Sequence, residues 1–427
     1  MLTREQQELL TQTTPGTPMG ELFRRYWVPA LLSEELPEPD CPPVRVKLLS
    51  EALIAFKDTQ GRIGLIDEFC AHRGVSLYFG RNEECGLRCP YHGWKYDING
   101  HCLEVPSEPE DSNFRKKVKL KSYPCVERGG VIWAYMGEPA LKPELPAFEW
   151  ATVASRHRFV SKWLEQCNHL QAMEGGIDSC HVSFLHRYDV GNDPLHRESK
   201  GAVYSIADPD PKLEVTESAA GLLIKSRRNA EPGNYYWRVT QWIMPWYTLI
   251  PPYGRHPITG NAWVPIDDES CWVFVIGYHP TRPLTEEELT AMREGQGIFV
   301  KASPPLYRAR ANKDNDYLID RAAQKAGKTF SGVRGISAQD AAVQESMGLI
   351  QDRTKEHLVS TDNAIIMARQ RLMKAALGLQ QGIAPPALDP ETHRVRSASL
   401  VLPKQAVFQE ATKEALRARP HVPPVSI

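Results

Sequence analysis

Two groups of residues in this 427-residue chain have the types and the spacing to hold metal. The first is Cys70-Ala71-His72, followed sixteen residues later by Cys89-Pro90-Tyr91-His92, a C-x-H-x16-C-x2-H pattern. Two cysteines and two histidines bind zinc tetrahedrally. They also bind a [2Fe–2S] cluster in which the cysteines hold one iron and the histidines the other. Each short segment here supplies one Cys and one His, so each would span both irons. Zinc fingers more often pair Cys with Cys and His with His, and the arrangement therefore favours the cluster. Histidine ligation raises the reduction potential, which suits a centre that hands electrons on. Arg73-Gly74 and Gly93-Trp94 follow the two loops and are expected to supply tight turns and an apolar cover.

The second group lies between Glu165 and His186. Asn168, Gln171, Glu174, Asp178 and His181 recur at three- and four-residue spacing, one face of a helix. His181 and His186 are five apart, about 140° out of alignment on a continuous helix. They converge only if the helix loosens after Asp178, and Gly175-Gly176 makes that plausible. Two histidines and a carboxylate form the facial triad of non-heme Fe(II) oxygenases, with positions left open for O2. The expected carboxylate is Asp362, in Ser360-Thr361-Asp362 before Ile365-Ile366-Met367. The competing reading of Asp362 is a plain helix cap, and Asp340, Glu345 and Asp352 are competing carboxylates. Asp178, three residues before His181, is placed to orient a ligating imidazole through its second ring N–H. His169 is read as packing or hydrogen bonding.

The elements that must position these groups follow from pattern. Residues 1–38 read as an arm, with a short helix from Arg4 to Thr13. Residues 39–145 hold short strands (Val44 to Leu49, Ala52 to Phe56, Ile63 to Ile66, Val131 to Tyr135) broken by turns such as Asp58-Thr59-Gln60-Gly61. Pro139, Pro143 and Pro146 mark a linker. Residues 146–427 mix helical patterns (163 to 178, 284 to 300, 337 to 377) with strands from 213 to 278. A small β domain thus precedes a larger α+β domain. Nine cysteines at irregular spacing do not suggest a disulfide framework. A net charge of −1 gives no reason to expect nucleic acid or an anionic membrane as partner. No long apolar run and no leader pattern are present in Met1 to Gln6, so a cytoplasmic protein is expected.

The two motifs together, C-x-H-x16-C-x2-H and N-x2-Q-x2-E-x3-D-x2-H-x4-H, resemble the α subunits of Rieske non-heme iron oxygenases. Gly16 to Gly20 with Arg24-Arg25-Tyr26-Trp27, the run Asn312 to Tyr317, and Asp340 to Asp362 with Gln344-Glu345 and Glu356-His357-Leu358 bring the resemblance close to the phthalate dioxygenase group. The resemblance implies an all-β Rieske [2Fe–2S] domain followed by a helix-grip (START/Bet v1-like) catalytic domain. Cys70, His72, Cys89 and His92 would hold the cluster, and His181, His186 and Asp362 one Fe(II). It also implies a ring-shaped trimer, or stacked trimers, in which Asp178 bridges cluster and iron across the subunit interface. A separate reductase with FMN and a plant-type ferredoxin centre would bring electrons from NADH. The reaction expected is dihydroxylation of an aryl carboxylate resembling phthalate, with oxidative O-demethylation or monohydroxylation as the alternative. An Fe–S protein without catalytic iron and a structural zinc protein are the remaining readings. A carboxylate substrate calls for a pocket cation. Arg238 and Arg255 are candidates, with Trp246 among the residues for an apolar wall; salt bridges and core packing are the competing roles.

Overall fold

The computed structural model describes residues 1–109 and 112–427. The N-terminal arm is integral to the molecule. Thr3 and Gln6 form a reciprocal cap at the start of helix Arg4–Thr11. Thr17 and Pro18 start helix Pro18–Arg24. Both helices pack against the long helix Asn363–Gln380. Strand Trp27–Leu32 then pairs antiparallel with Val131–Tyr135. Glu35 reaches the larger sheet, where its carboxylate lies 2.5 Å from the buried Lys162 amine, itself flanked by the rings of Trp272 and Tyr307, each 4.6 Å away.

The following segment builds two small antiparallel sheets. One contains Val44–Leu48, Glu51–Lys57 and Ile63–Asp67; the other contains Arg81–Glu83, Gly86–Arg88, Lys95–Tyr96 and Cys102–Glu104. The Asp58 carboxylate accepts the backbone N–H groups of Gln60 and Arg62, which closes the expected turn. Ile54, Phe56, Ile66, Leu87 and Tyr96 form their own core, and Cys70 and Cys89 sit in it.

The larger part is built on a sheet that is antiparallel except where Arg158–Glu165 pairs with Arg308–Ala309 at its edge. Its order runs Lys212–Glu217, Gly221–Asn229, Asn234–Ile243, Tyr247–Ile250, Ile258–Pro265, Cys271–Tyr278, Arg158–Glu165. Helix His169–Ile177 lies against Ile258–Pro265, and Ala398–Pro403 adds to the sheet beside Asn234–Ile243. This is the expected all-β unit followed by an α+β unit in which a sheet grips a helix. Among the described residues, no helix is long and apolar enough to cross a membrane.

Three helical expectations need correction. Trp163 to Glu165 finish a strand, because each pairs in register with Cys271 to Val273; ladder pairing outweighs the local helical pattern. The segment 337 to 377 is two helices, Ile336–Ser346 and Asn363–Gln380, separated after Gly348 at φ +92°. The helix expected over 284 to 300 is confined to Glu286–Arg293, and Gly295 at φ +81° follows its end.

Candidate metal centres and active site

The two Cys/His loops are built alike. In the first, the Cys70 carbonyl accepts the Gly74 N–H (2.9 Å) while the Cys70 N–H donates to Val75 (2.9 Å). In the second, the Cys89 carbonyl accepts the Gly93 N–H (3.0 Å) while the Cys89 N–H donates to Trp94 (2.8 Å). Gly74 and Gly93 take the same left-handed conformation, at φ +74° and +78°. The repeat brings the two cysteines together in the core and places the imidazoles of His72 and His92 with centroids 4.5 Å apart. Trp94 stacks on His72 at 4.7 Å and Tyr96 Oη lies 3.2 Å from Cys70 Sγ. Among the described residues, these four donors do not form a set lying within 4.8 Å of one another. A single tetrahedral zinc would require such a set, whereas a two-iron cluster separates its thiolate and imidazole ends.

The second centre is a tight group of His181, His186 and Asp340. The Nε2 atoms of the two histidines are 3.1 Å apart, and Asp340 Oδ1 lies 3.1 Å from His186 Nε2 and 3.7 Å from His181 Nε2. Helix His169–Ile177 ends on extended Asp178 (φ −82°, ψ 126°), and a 3-10 turn starts at His181. The Asp178 carboxylate drives that change of direction. It accepts the N–H groups of Cys180 (2.7 Å) and His181 (3.4 Å) and takes the His181 Nδ1 proton at 3.1 Å.

Gly175 and Gly176 have a different role from the loosening expected of them. A Cβ on Gly176 would lie 2.1 Å from the Trp263 ring, and one on Gly175 would lie 2.1 Å from Gln344 Nε2. They let the helix approach the sheet and the helix Ile336–Ser346 that carries Asp340.

Gln339, beside Asp340, was not singled out by sequence. Its amide nitrogen donates to Asp189 (2.7 Å) and to the Val333 carbonyl (2.9 Å). Its oxygen therefore faces His186 Nδ1, 2.7 Å away, and accepts that proton. With both Nδ1 atoms donating, both Nε2 lone pairs face each other beside a carboxylate oxygen. Such a cluster of acceptors calls for a cation. Donors at right angles around a metal with bonds of about 2.1 Å lie about 3.0 Å apart, close to the spacing found. The group fits a facial triad of two histidines and a carboxylate. Burial would raise the Asp340 carboxyl, but the His186 imidazole more than offsets it and holds it below the usual aspartate range. Burial likewise works against a charged His186, but Asp340 and Gln339 more than offset it and raise its basicity.

Asp362, the expected third ligand, is outside this group. It sits in the 3-10 turn Ser360–Asp362 and accepts the Val359 N–H at 2.8 Å. It stands at the N-terminal boundary of helix Asn363–Gln380, which packs on the N-terminal helices, but its carboxylate folds back on Val359 and makes no cap hydrogen bond to that helix, so the capping role is not seen either.

The ligand helix is anchored from behind by charge. Buried Glu174 bonds Arg369 (2.6 Å) and Arg353 (3.2 Å), and Arg369 also grips Glu356 (2.6 Å). Removing one member leaves buried charge unpaired. Glu174→Ala is therefore expected to lower stability by about 3–5 kcal/mol in a denaturant titration. A loss below about 1 kcal/mol would show that the network is not an anchor.

A cavity adjoins the triad. Its sheet wall is read off the register: Trp163, Val273 and Trp263 form one row across three strands, with Glu165, Asn261 and Thr259 on the same face. Val190, Ile250, Ile298 and Ile336 supply apolar surface. Arg238 lines it, buried, with its Nη1 on Ser179 Oγ (3.3 Å). Arg228 is buried beside Ser179, donating to its carbonyl at 3.0 Å. Among the described residues, neither arginine has a carboxylate partner. Arg255 is outside the cavity: its side chain is 79% exposed and 3.7 Å from Glu198. Trp246 is also outside, packed edge-on against Phe23 of the arm at 4.8 Å. Both faces of strand Asn234–Ile243 are buried, so alternation along it gives no cue to which side chain meets the cavity.

Residues 26–124 match the Rieske [2Fe-2S] domain, and residues 134–418 match the LigXa C-terminal domain-like family. The 3-chlorobenzoate-3,4-dioxygenase oxygenase subunit of Comamonas testosteroni is 36% identical over 97% of this chain and 98% of that protein. The phthalate 4,5-dioxygenase oxygenase subunit of Pseudomonas putida is 38% identical over 90% of this chain and 88% of its own. Dicamba monooxygenase bound to dicamba has the same fold at 18% identity, with a TM-score of 0.58 over 84% of this chain and 98% of that one. An oxygenase subunit of this kind is an oxidoreductase that carries a Rieske cluster and a mononuclear iron and takes electrons from a reductase. The chain belongs to the Rieske non-heme iron oxygenases, as an oxygenase subunit near the phthalate dioxygenase group.

Proposed function

We propose that this oxygenase uses O2 to oxidise an aromatic carboxylic acid, by dihydroxylation of the ring in the manner named for its phthalate and chlorobenzoate relatives. The observation that carries the reading is the buried Arg238 in the cavity wall, without a carboxylate partner among the described residues and with Arg228 behind it. Buried cations of this kind are stable only with a counter-charge, and a guanidinium matches a carboxylate. Residues 39–145 serve as the electron-receiving unit, with Cys70, His72, Cys89 and His92 holding the cluster. Residues 146–427 serve as the catalytic unit, with His181, His186 and Asp340 holding the iron. The iron, when bound, supplies O2 activation with positions left open for it. Asp178 orients His181, Gln339 orients His186, Arg238 holds the substrate carboxylate, and the apolar wall excludes water.

The electron donor is a reductase with FMN and a plant-type ferredoxin centre, oxidising NADH in the cytoplasm. The assembly is a trimer or stacked trimers. Phe69, Phe79 and Tyr91 are about half exposed or more around the cluster loops, a surface suited to facing a neighbouring subunit. Oxidative O-demethylation or monohydroxylation of an aromatic acid is the alternative, because it starts from the same iron and oxygen.

The reading is tested with Arg238→Leu. Its KM for whichever benzoate or phthalate derivative the wild type turns over with a reductase is expected to rise about 10–100-fold, with a smaller change in kcat. An unchanged KM would remove Arg238 and, with it, the argument for an acid. Metal analysis should return about three irons and two sulfides per chain with a Rieske-type EPR signal.

A further inference from the structure

Glu165 occupies the opposite kind of environment from Arg238 in the same cavity. It is 1% exposed at the end of strand Arg158–Glu165 and lines the cavity with Trp163 on the same strand face. No lysine, arginine or histidine pairs with its carboxyl among the described residues. Among the described residues its one side-chain hydrogen bond comes from the Cys167 thiol, at 3.9 Å.

Of the titratable groups around it, Glu345 disfavours a second negative charge, and the weak Cys167 thiol donor favours one. Glu345, from helix Ile336–Ser346, is already engaged by the Gln166 N–H (2.9 Å) and Tyr317 Oη (2.5 Å). Asp340 of the triad lies on the same helix. Cys167 and Cys271 are buried thiols beside Glu165 that burial keeps protonated. Burial first, and then Glu345, push the Glu165 carboxyl well above the ordinary glutamate range. A carboxylate without a partner in such a place would be costly, and the group takes up a proton instead. A neutral carboxylic acid has an O–H to donate. Asn261 and Trp163, also in the cavity wall, have polar atoms with no hydrogen-bond partner in the chain.

We propose that Glu165 is a specificity residue, a neutral carboxylic acid that donates a hydrogen bond to an uncharged oxygen, a hydroxyl or a methoxy group, on the ring of the bound acid. The cavity then reads its substrate at two places, a carboxylate at Arg238 and an uncharged acceptor at Glu165. It discriminates against a second carboxylate near Glu165, where no cation waits. This inference rests on the acid reading above for its ligand, but not for the protonation of Glu165.

The test has two arms on the metal-loaded protein. In the first, infrared difference spectra of wild type minus Glu165→Gln at neutral pH should show a protonated-carboxyl C=O band that shifts in D2O. A difference spectrum containing only carboxylate bands would overturn the proposal. In the second, dissociation constants are measured for benzoate and its 3-hydroxy, 4-hydroxy and 3-methoxy derivatives. Glu165→Gln keeps a donor and should bind all four within about threefold of wild type. Glu165→Leu should weaken the best oxygen-bearing derivative about tenfold or more while leaving benzoate unchanged. Equal weakening of benzoate, or no weakening of any derivative, would overturn the proposal. If the infrared band is present and wild type binds none of the acids, the acid reading falls while the neutral Glu165 stands.

Discussion

Asp340→Ala is expected to reduce iron from about three to about two per chain and to cut turnover by three or more orders of magnitude, with the Rieske EPR signal intact. The magnitude follows from the several kcal/mol that a catalytic metal contributes to the transition state. The signal survives because Cys70 and Cys89 lie in the separate small core, with His72 and His92 beside each other on the same two loops. Asp340 Oδ1 is 3.1 Å from His186 Nε2, so its loss leaves two neutral imidazoles facing each other with no charge to balance a divalent ion. Asp362→Ala is the matching control. It removes an acceptor for the Val359 N–H, which costs about 1 kcal/mol of stability at most, and leaves three irons. If Asp362→Ala loses the mononuclear iron and Asp340→Ala keeps it, the ligand assignment is wrong.

Asp178→Asn should retain both metal centres and still lower turnover about 10–100-fold or more. An asparagine of the same shape can accept the Cys180 N–H, so the turn between helix and ligand survives. What it lacks is the negative charge that holds the His181 Nδ1 proton at 3.1 Å and strengthens Nε2 as a donor; changes to such partners of a metal-bound histidine have effects of that size. The carboxyl is held below the ordinary aspartate range although burial opposes this, because His181 and the N–H groups of Cys180 and His181 favour its ionised form. Iron analysis and kcat on the same preparation check it. Normal turnover would remove the role of the charge, and loss of iron would make Asp178 a structural support of the site.

The cluster motif was legible because everything it needs is local. Each loop carries its own Cys, its own His and a glycine at the one position where φ must be positive, and the strands beside it follow from short alternating runs. The first two ligands of the second centre were legible for a similar reason, with Asp178 placed three residues before His181 to turn the chain. Trp163 and Glu165 were less so: their spacing suits a helix until Cys271 to Val273 are seen to pair with them.

The carboxylate of the triad was a choice among 52 acidic residues, and no local rule favours Asp340 over Asp362. Both precede or occupy helices, and an aspartate at a helix start looks like a ligand in one dimension. The tertiary structure decided it through two glycines. Gly175 and Gly176 let the ligand helix close on Trp263 and Gln344, which brings helix Ile336–Ser346, rather than the start of Asn363–Gln380, up to the histidines. The same packing places Gln339 on His186 and puts Glu165 and Arg238 in one cavity, while Arg255 and Trp246 face solvent and the arm. Sequence alone determined which chemistry the chain carries, because ligand types and turn residues are local properties. Which distant carboxylate completes the iron site, and which polar residues meet the substrate, depend on strand register and helix approach, which only the folded chain defines.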